Sequence, residues 1–380
     1  MTGDKMKKIF YISYYSPPSA TEKRNAVLSA VNKMDYICES LEKNGCEVEI
    51  VSASQALGKS FCKARKEKLT DGTTLKLFSS LPHTNKIVSL VNRAYIKTQM
   101  FFYMLKNAKR DSTVIVYHSL GYMSLVKLLK KLKGFRLIIE AEEVYGDVIG
   151  NAKATEKEYN FFKIADSFIF PTELLSEKVN TEKKPEAVIY GTYHIAKDMP
   201  KLFTDGKIHC VYAGVLEPRK GADTAVAAAE YLTGDYHIHI IGFGRDEYID
   251  RINNLISEVS EKTECTVTFD GKRSGDEYLQ FLQSCQIGFV TQNSEAAYNG
   301  TSFPSKTLSY LSNGLRVVSV RIKAIETSKV ADLIYFYNGD DPKDVANAVK
   351  SINFTDDYDS RREVEKLSRE FSDKLSLIIE

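Results

Sequence analysis

No run of this 380-residue sequence approaches the roughly 18 apolar residues that a membrane-spanning helix needs, which excludes such a helix. The first residues, Met1 to Lys8, are polar up to the first apolar segment, unlike a secretory signal, so export by that route is not expected. None of the six cysteines (Cys38, Cys46, Cys62, Cys210, Cys265, Cys285) stands in C-x-x-C spacing, and most lie inside apolar runs. A disulfide framework and a zinc site are therefore not expected, and a reducing, cytoplasmic setting is. Nor does one sign of charge dominate, with 52 Lys and Arg against 50 Asp and Glu. With 43% hydrophobic and 27% charged residues, the chain has the composition of an ordered globular protein rather than a disordered one. Its length suffices for two domains, each with its own core.

The near-neutral total conceals an asymmetry. Residues 1–200 sum to +9 and residues 201–380 to −7, which together give the net +2. Between Ser52 and Arg136, 17 basic residues face 3 acidic ones. Such an excess suits an anionic membrane surface, where each Lys or Arg contributes on the order of 1 kcal/mol, or a core helix with a solvated basic face. No nucleic-acid reader motif accompanies it, so a nucleic-acid partner is not expected.

Strands and helices alternate along the chain. Lys8–Tyr14 reads as a buried strand, followed by an amphipathic helix through Leu28, Val31, Met34, Ile37 and Leu41 that closes at Asn44-Gly45. Cys46–Val51, Thr113–Tyr117, Phe135–Ile139, Ala165–Phe170 and Ala187–Ile189 continue as strands. Lys59–Lys68 and Ile87–Arg110 read as helical, the second with an apolar stripe of Ile96, Met100, Phe101, Met104 and Leu105. The polar segment Pro200–Lys207 reads as a linker. A second series of strands follows: Ile208–Val215, Tyr236–Ile241, Thr266–Phe269, Gln286–Val290 and Val317–Val320. Two such series predict two Rossmann-like domains, residues 1–200 and 201–360, with a final helix over 361–380.

The most distinctive stretch is Asn299–Gly314, NGTSFPSKTLSYLSNG. Proline at a helix start, serine hydroxyls and free backbone N–H groups make an anion site there, and Lys306 adds a positive charge. About ninety residues upstream come Val211-Tyr212-Ala213-Gly214 and then Pro218-Arg219-Lys220-Gly221. Ile240-Ile241-Gly242-Phe243-Gly244 could open a dinucleotide fold, but no third glycine follows.

This combination of FPSK opening a helix that ends in Asn-Gly, with a Gly loop and Lys-Gly pair upstream, resembles glycosyltransferase family 4. The resemblance implies the α/β GT-B fold, two facing Rossmann-like domains with parallel sheets and an interdomain cleft. It implies a retaining transferase that moves a sugar from a nucleotide-sugar donor to a glycan or lipid-linked acceptor. The setting implied is polysaccharide biosynthesis, in the cytoplasm, peripheral on the inner face of a membrane. By the same resemblance, no cofactor and no metal are required. Diphosphate contacts fall on Gly214, Lys220, Ser305 and Lys306, nucleobase contacts on Phe269, Gly271 and Lys272, and candidate donor-sugar contacts on Glu295, Thr301 and Ser302.

Some positions depart from the family pattern. Thr301 and Ser309 stand where two glutamates are common, and Val215 stands where an arginine commonly follows the glycine. On the acceptor side, Glu142 stands near a position that many relatives fill with histidine, and His118 ends a neighbouring strand. Both are candidate acid–base groups. His237 and His239 share one strand face and are read as strand residues, since two ligands do not make a metal site. A noncatalytic nucleotide-sugar-binding partner and a GT-B-shaped epimerase remain alternatives.

Overall fold

The computed structural model describes residues 6–293 and 302–380. The chain forms two compact units, one of Met1–Pro171, Leu175–Thr192 and Glu370–Glu380, the other of Thr172–Leu174 and Tyr193–Arg369. The C-terminal helix Ser360–Ile379 therefore contributes residues to both.

The first unit holds eight strands: β1 (Lys7–Ser13), β2 (Cys46–Ser52), β3 (Arg65–Lys68), β4 (Thr73–Leu77), β5 (Thr113–Tyr117), β6 (Arg136–Glu140), β7 (Ser167–Phe170) and β8 (Glu186–Val188). They lie in the order β3-β4-β2-β1-β5-β6-β7-β8. All neighbours are parallel except β3 and β4. Parallel strands are covered on both faces, which is why β1, β5 and β7 are near-continuous runs of Ile, Val, Phe and Tyr. The sequence expectation of a helix over Lys59–Lys68 is corrected here. Arg65–Lys68 is an edge strand turned back on β4, and its alternating charges can point away from the sheet because an edge strand is only half covered.

The second unit holds β9 (Ile208–Leu216), β10 (Tyr236–Gly244), β11 (Thr266–Gly271), β12 (Ile287–Val290), β13 (Arg316–Val320) and β14 (Ile334–Tyr337), in the order β11-β10-β9-β12-β13-β14 and all parallel. From β9 the chain builds outward to β10 and β11, then returns to β12 on the other side. The carboxyl ends of β9 and β12 are thus the point where the strand order reverses, the usual ligand position in an open parallel sheet.

The helix Ser305–Leu311 is pinned at that point. Tyr310 is fully buried, and its hydroxyl accepts from the Ala213 N–H of β9 (2.9 Å) and donates to the Phe289 carbonyl of β12 (3.3 Å). One phenol so ties the helix to both strands at the reversal.

In the first unit, β6 ends on Glu140, whose carboxyl is fully buried and accepts from the Tyr11 hydroxyl of β1. Burial raises its pKa, and the nearby Glu142 charge adds to that rise. A carboxyl raised in the fold favours the native state at acid pH, and that advantage is lost as the pH climbs through its native value.

Glu140→Gln keeps the neutral shape, so its melting temperature should gain on the wild type as the pH is raised from about 5 to about 9, in paired thermal melts. Tyr310→Phe leaves the Ala213 N–H buried without its acceptor and should cost the second unit about 1–3 kcal/mol, read from the shift of its urea midpoint.

Candidate functional site

At the end of β9 the backbone passes through Gly214 and Leu216 into the loop Glu217-Pro218-Arg219-Lys220-Gly221. The loop turns tightly, with the Lys220 N–H donating to the Glu217 carbonyl (3.1 Å). Two further bonds hold it against the segment after β12. The Thr291 hydroxyl donates to the Gly221 carbonyl (2.6 Å), and the Asn293 N–H donates to the Arg219 carbonyl (3.0 Å). Gly221 has φ +84°, and a Cβ there would fall 1.8 Å from the Thr291 carbonyl oxygen, so no side chain fits.

Lys306, on the second residue of its helix, brings its side chain over this junction. A Cβ built on Gly214 would lie 2.7 Å from Lys306 Cε and 3.2 Å from its Nζ. The absence of a side chain at position 214 is therefore what gives the lysine its place. Its ammonium sits 3.4 Å from the centroid of the Tyr212 ring, a cation–π contact. Burial pushes the Lys306 pKa well down, and the Lys220 charge pushes it the same way. Among the described residues no carboxylate pairs with Lys306. A buried lysine beside a second lysine makes a site for a compact polyanion, because an anion of two or more charges can meet both side chains at once.

The structure thus brings Gly214, Lys220 and Lys306 together. Ser305 is exposed at the first position of the helix, and Ser302 is half-buried two residues before Pro304. Glu295 and Thr301 lie outside the described residues. Ser309, in the position of a common family glutamate, shares a hydrogen bond with the Tyr278 hydroxyl (3.1 Å). Phe269, Gly271 and Lys272 sit at the end of β11, two strands from β9. Phe269 is half-buried, Gly271 turns at φ +73°, and the Lys272 ammonium lies 5.4 Å from the ring of Phe243.

On the first unit, Glu142 is half-buried and paired with Lys33 (2.5 Å) beyond the end of β6. His118 is different from what its place at a strand end suggested. It is fully buried, with Phe162, Tyr145 and Phe161 rings at 4.9, 5.4 and 6.0 Å. Burial lowers its pKa to about 4, so it is a neutral core residue with no face open to a substrate.

The histidines of the second unit form a group that the strand reading missed, because the third member comes from a neighbouring strand. His237 pairs in register with His209, and the candidate ligand atoms of His209, His237 and His239 lie within 4.8 Å of one another. Their bonds run as a chain: Asp205 to His209 Nε2 (2.9 Å), His209 Nδ1 to His239 Nε2 (2.9 Å), His239 Nδ1 to Asp270 (3.0 Å). The His209 and His239 rings are nearly coplanar, 19° apart. A proton fits between their facing nitrogens, whereas a metal needs about 2.0–2.1 Å from each and would stand off the line of both lone pairs. The His237 and His239 rings stack with centroids 3.8 Å apart, so their lone pairs do not converge either. The arrangement is a hydrogen-bonded chain near the amino ends of β9 and β10, at the end of the sheet opposite Lys306.

Comparison with known proteins bears on the second unit first. Residues 207–353 match the family model for glycosyl transferases group 1. No curated protein matches the sequence. The fold is similar to that of E. coli trehalose-6-phosphate synthase solved with UDP-2-fluoro glucose, at 10% identity and TM-score 0.64 over 98% of this chain and 96% of that one. It is also similar to the Burkholderia multivorans trehalose 6-phosphate synthase (12%, TM-score 0.63, 98% and 95%). Anabaena Alr3699/HepE in complex with UDP gives 10% identity and TM-score 0.61 over 98% and 94%. The two parallel-dominated sheets thus have the fold of these glycosyltransferase structures, and residues 207–353 match the model for glycosyl transferases group 1.

Proposed function

We propose that the protein transfers a sugar from a nucleotide-sugar donor to a glycan or lipid-linked acceptor, with retention and without a required metal, in polysaccharide biosynthesis at the inner face of a membrane. The observation that carries this reading is the pair of lysine side chains, Lys306 and Lys220, beside a glycine backbone at the reversal of strand order. A departing nucleoside diphosphate gains negative charge in the transition state, and lysine side chains already positioned beside it stabilise that charge without reorganising. Gly214 lets the ligand and Lys306 approach the backbone closely, and Ser305 at the open helix start adds a hydroxyl. Phe269, Gly271 and Lys272 form the nucleobase end of the same strand-end surface, two strands along. Glu142, partly exposed and held by Lys33, orients or deprotonates the acceptor hydroxyl.

A second reading has one observation in its favour. Ser309 and its partner Tyr278 occupy a place where the family commonly sets a carboxylate for donor hydroxyls. On that reading the protein binds a nucleotide sugar and hands it on without chemistry. Binding with neither donor hydrolysis nor transfer, across a broad acceptor panel, would select it.

Thermal melts with nucleoside diphosphates and their sugars should show stabilisation for at least one base, and ligand at about 100 times Kd raises stability by about 2.7 kcal/mol. Lys306→Ala should weaken the binding about tenfold to a hundredfold, the loss of a charge-assisted bond, and an unaltered shift would count against the site. Because the free lysine has a depressed pKa, diphosphate binding should take up protons and weaken as the pH rises. Calorimetry in two buffers of different ionisation enthalpy reads that uptake directly.

A further inference from the structure

The helix Lys86–Asn107 of the first unit has apolar residues on both its sides. It buries Asn92, Ile96, Met100 and Met104 against the core. Yet Ile87, Leu90, Val91, Tyr95 and Phe102 are 75, 64, 52, 39 and 62% exposed. At 100° per residue these five, with exposed Ala94 and Thr98, span an arc of about 140° opposite the buried residues. An outward arc on a surface helix is ordinarily its polar side, so this one is inverted.

The charges around it are of one sign. No Asp or Glu occurs in Lys86–Asn107, and Lys86, Arg93 and Lys97 fall along one border of the arc. The adjoining helix Met123–Lys133 also has no acid, and it exposes Leu128 (47%) and Leu132 (55%) beside Lys127 and Lys131. It is fastened to the first helix by the Lys133 ammonium, which donates to the Leu105 carbonyl (3.0 Å). Among the described residues none of Lys86, Arg93, Lys97, Lys127 and Lys131 is paired with a carboxylate. Neither helix is long and apolar enough to cross a membrane, so a bilayer would meet them lying flat.

We propose that the outward arc of Lys86–Asn107 is a membrane-docking surface that seats Ile87, Leu90, Val91 and Phe102 below the headgroups of an anionic bilayer, with Lys86, Arg93 and Lys97 on the phosphates. Charge decides between occupants. A second copy meeting this face about a two-fold axis would set like charges against like, whereas an anionic headgroup layer answers every one of them. The surface deepens the membrane-apposed reading above, yet it rests only on that placement and not on sugar transfer.

The natural chain has no tryptophan, which makes one introduced residue a clean reporter. Phe102→Trp should shift its emission to the blue on vesicles of phosphatidylglycerol and phosphatidylcholine, with quenching by brominated acyl chains, and should not respond to phosphatidylcholine alone. In co-sedimentation without substrate, Lys86→Ala/Arg93→Ala/Lys97→Ala should lose at least about tenfold in affinity for the anionic vesicles and most of its salt dependence. Leu90→Asp should lose binding altogether. All these side chains are exposed or half-buried, so circular dichroism should be unaltered, and the nucleotide-dependent melting shift should persist in every variant. Equal binding to neutral and anionic vesicles, or no blue shift, overturns the proposal. A dimer in sedimentation equilibrium that Leu90→Asp dissociates, with no vesicle binding, assigns the face to a second copy instead. Loss of the nucleotide shift in the wild type would remove the transferase reading and leave the vesicle result standing.

Discussion

A buried lysine lies against a glycine, under the face of a tyrosine and beside a second lysine, at the point where the strand order of the second unit reverses. Desolvating a lysine is unfavourable, and a neighbouring positive charge makes it more so. Lys306 stays in place because Gly214 leaves it room and the Tyr212 ring offers it the negative face of a π system. Burial and the neighbouring Lys220 both disfavour its charge, so an arriving anion would favour its protonation. Hydrogen bonds hold the described residues around it: Tyr310 joins the helix to two strands, and Thr291 and Asn293 close the Lys220 loop.

The first unit handles an ionisable group in the opposite way. Glu140 is buried with its hydroxyl partner Tyr11 and is held towards its neutral form, while Glu142 two residues on keeps a lysine partner and some exposure. The surroundings of the two acids so differ, one enclosed and one partly exposed beside a lysine. His118 shows the same principle carried further, since enclosure by three aromatic rings disfavours its charged form and burial leaves it no exposed face. The histidine chain of the second unit persists because its polar nitrogens satisfy one another and two aspartates, which a buried polar group requires.

Much of the framework was legible in the sequence, for a local reason. Buried parallel strands are short unbroken apolar runs and their crossover helices carry a 3.6-residue period, so β1, β2, β5 and the five strands from Ile208 to Val320 announce themselves. The FPSK start and the Lys-Gly pair marked their positions by residue type alone, and both fell at the strand-order reversal. What failed was where local pattern is silent. The edge strand Arg65–Lys68 has no apolar period, only the turn at Asp71-Gly72 that precedes β4, and the helix Ala152–Phe162 lacks a long apolar stripe.

By itself, then, the amino-acid order determined two series of parallel strands, the places where chains of glycine and lysine interrupt them, and the absence of acid from Lys86–Asn107. The stripe read from Ile96, Met100 and Met104 is the side that packs on the core, and tertiary structure alone showed that the apolar residues opposite it, Ile87, Leu90, Val91 and Phe102, stay exposed. It alone set Lys306 over Gly214, His209 beside His239 and His118 inside a ring of aromatics. Each of those juxtapositions joins residues many positions apart, and long-range contact is set by packing and register rather than by any local preference of the chain.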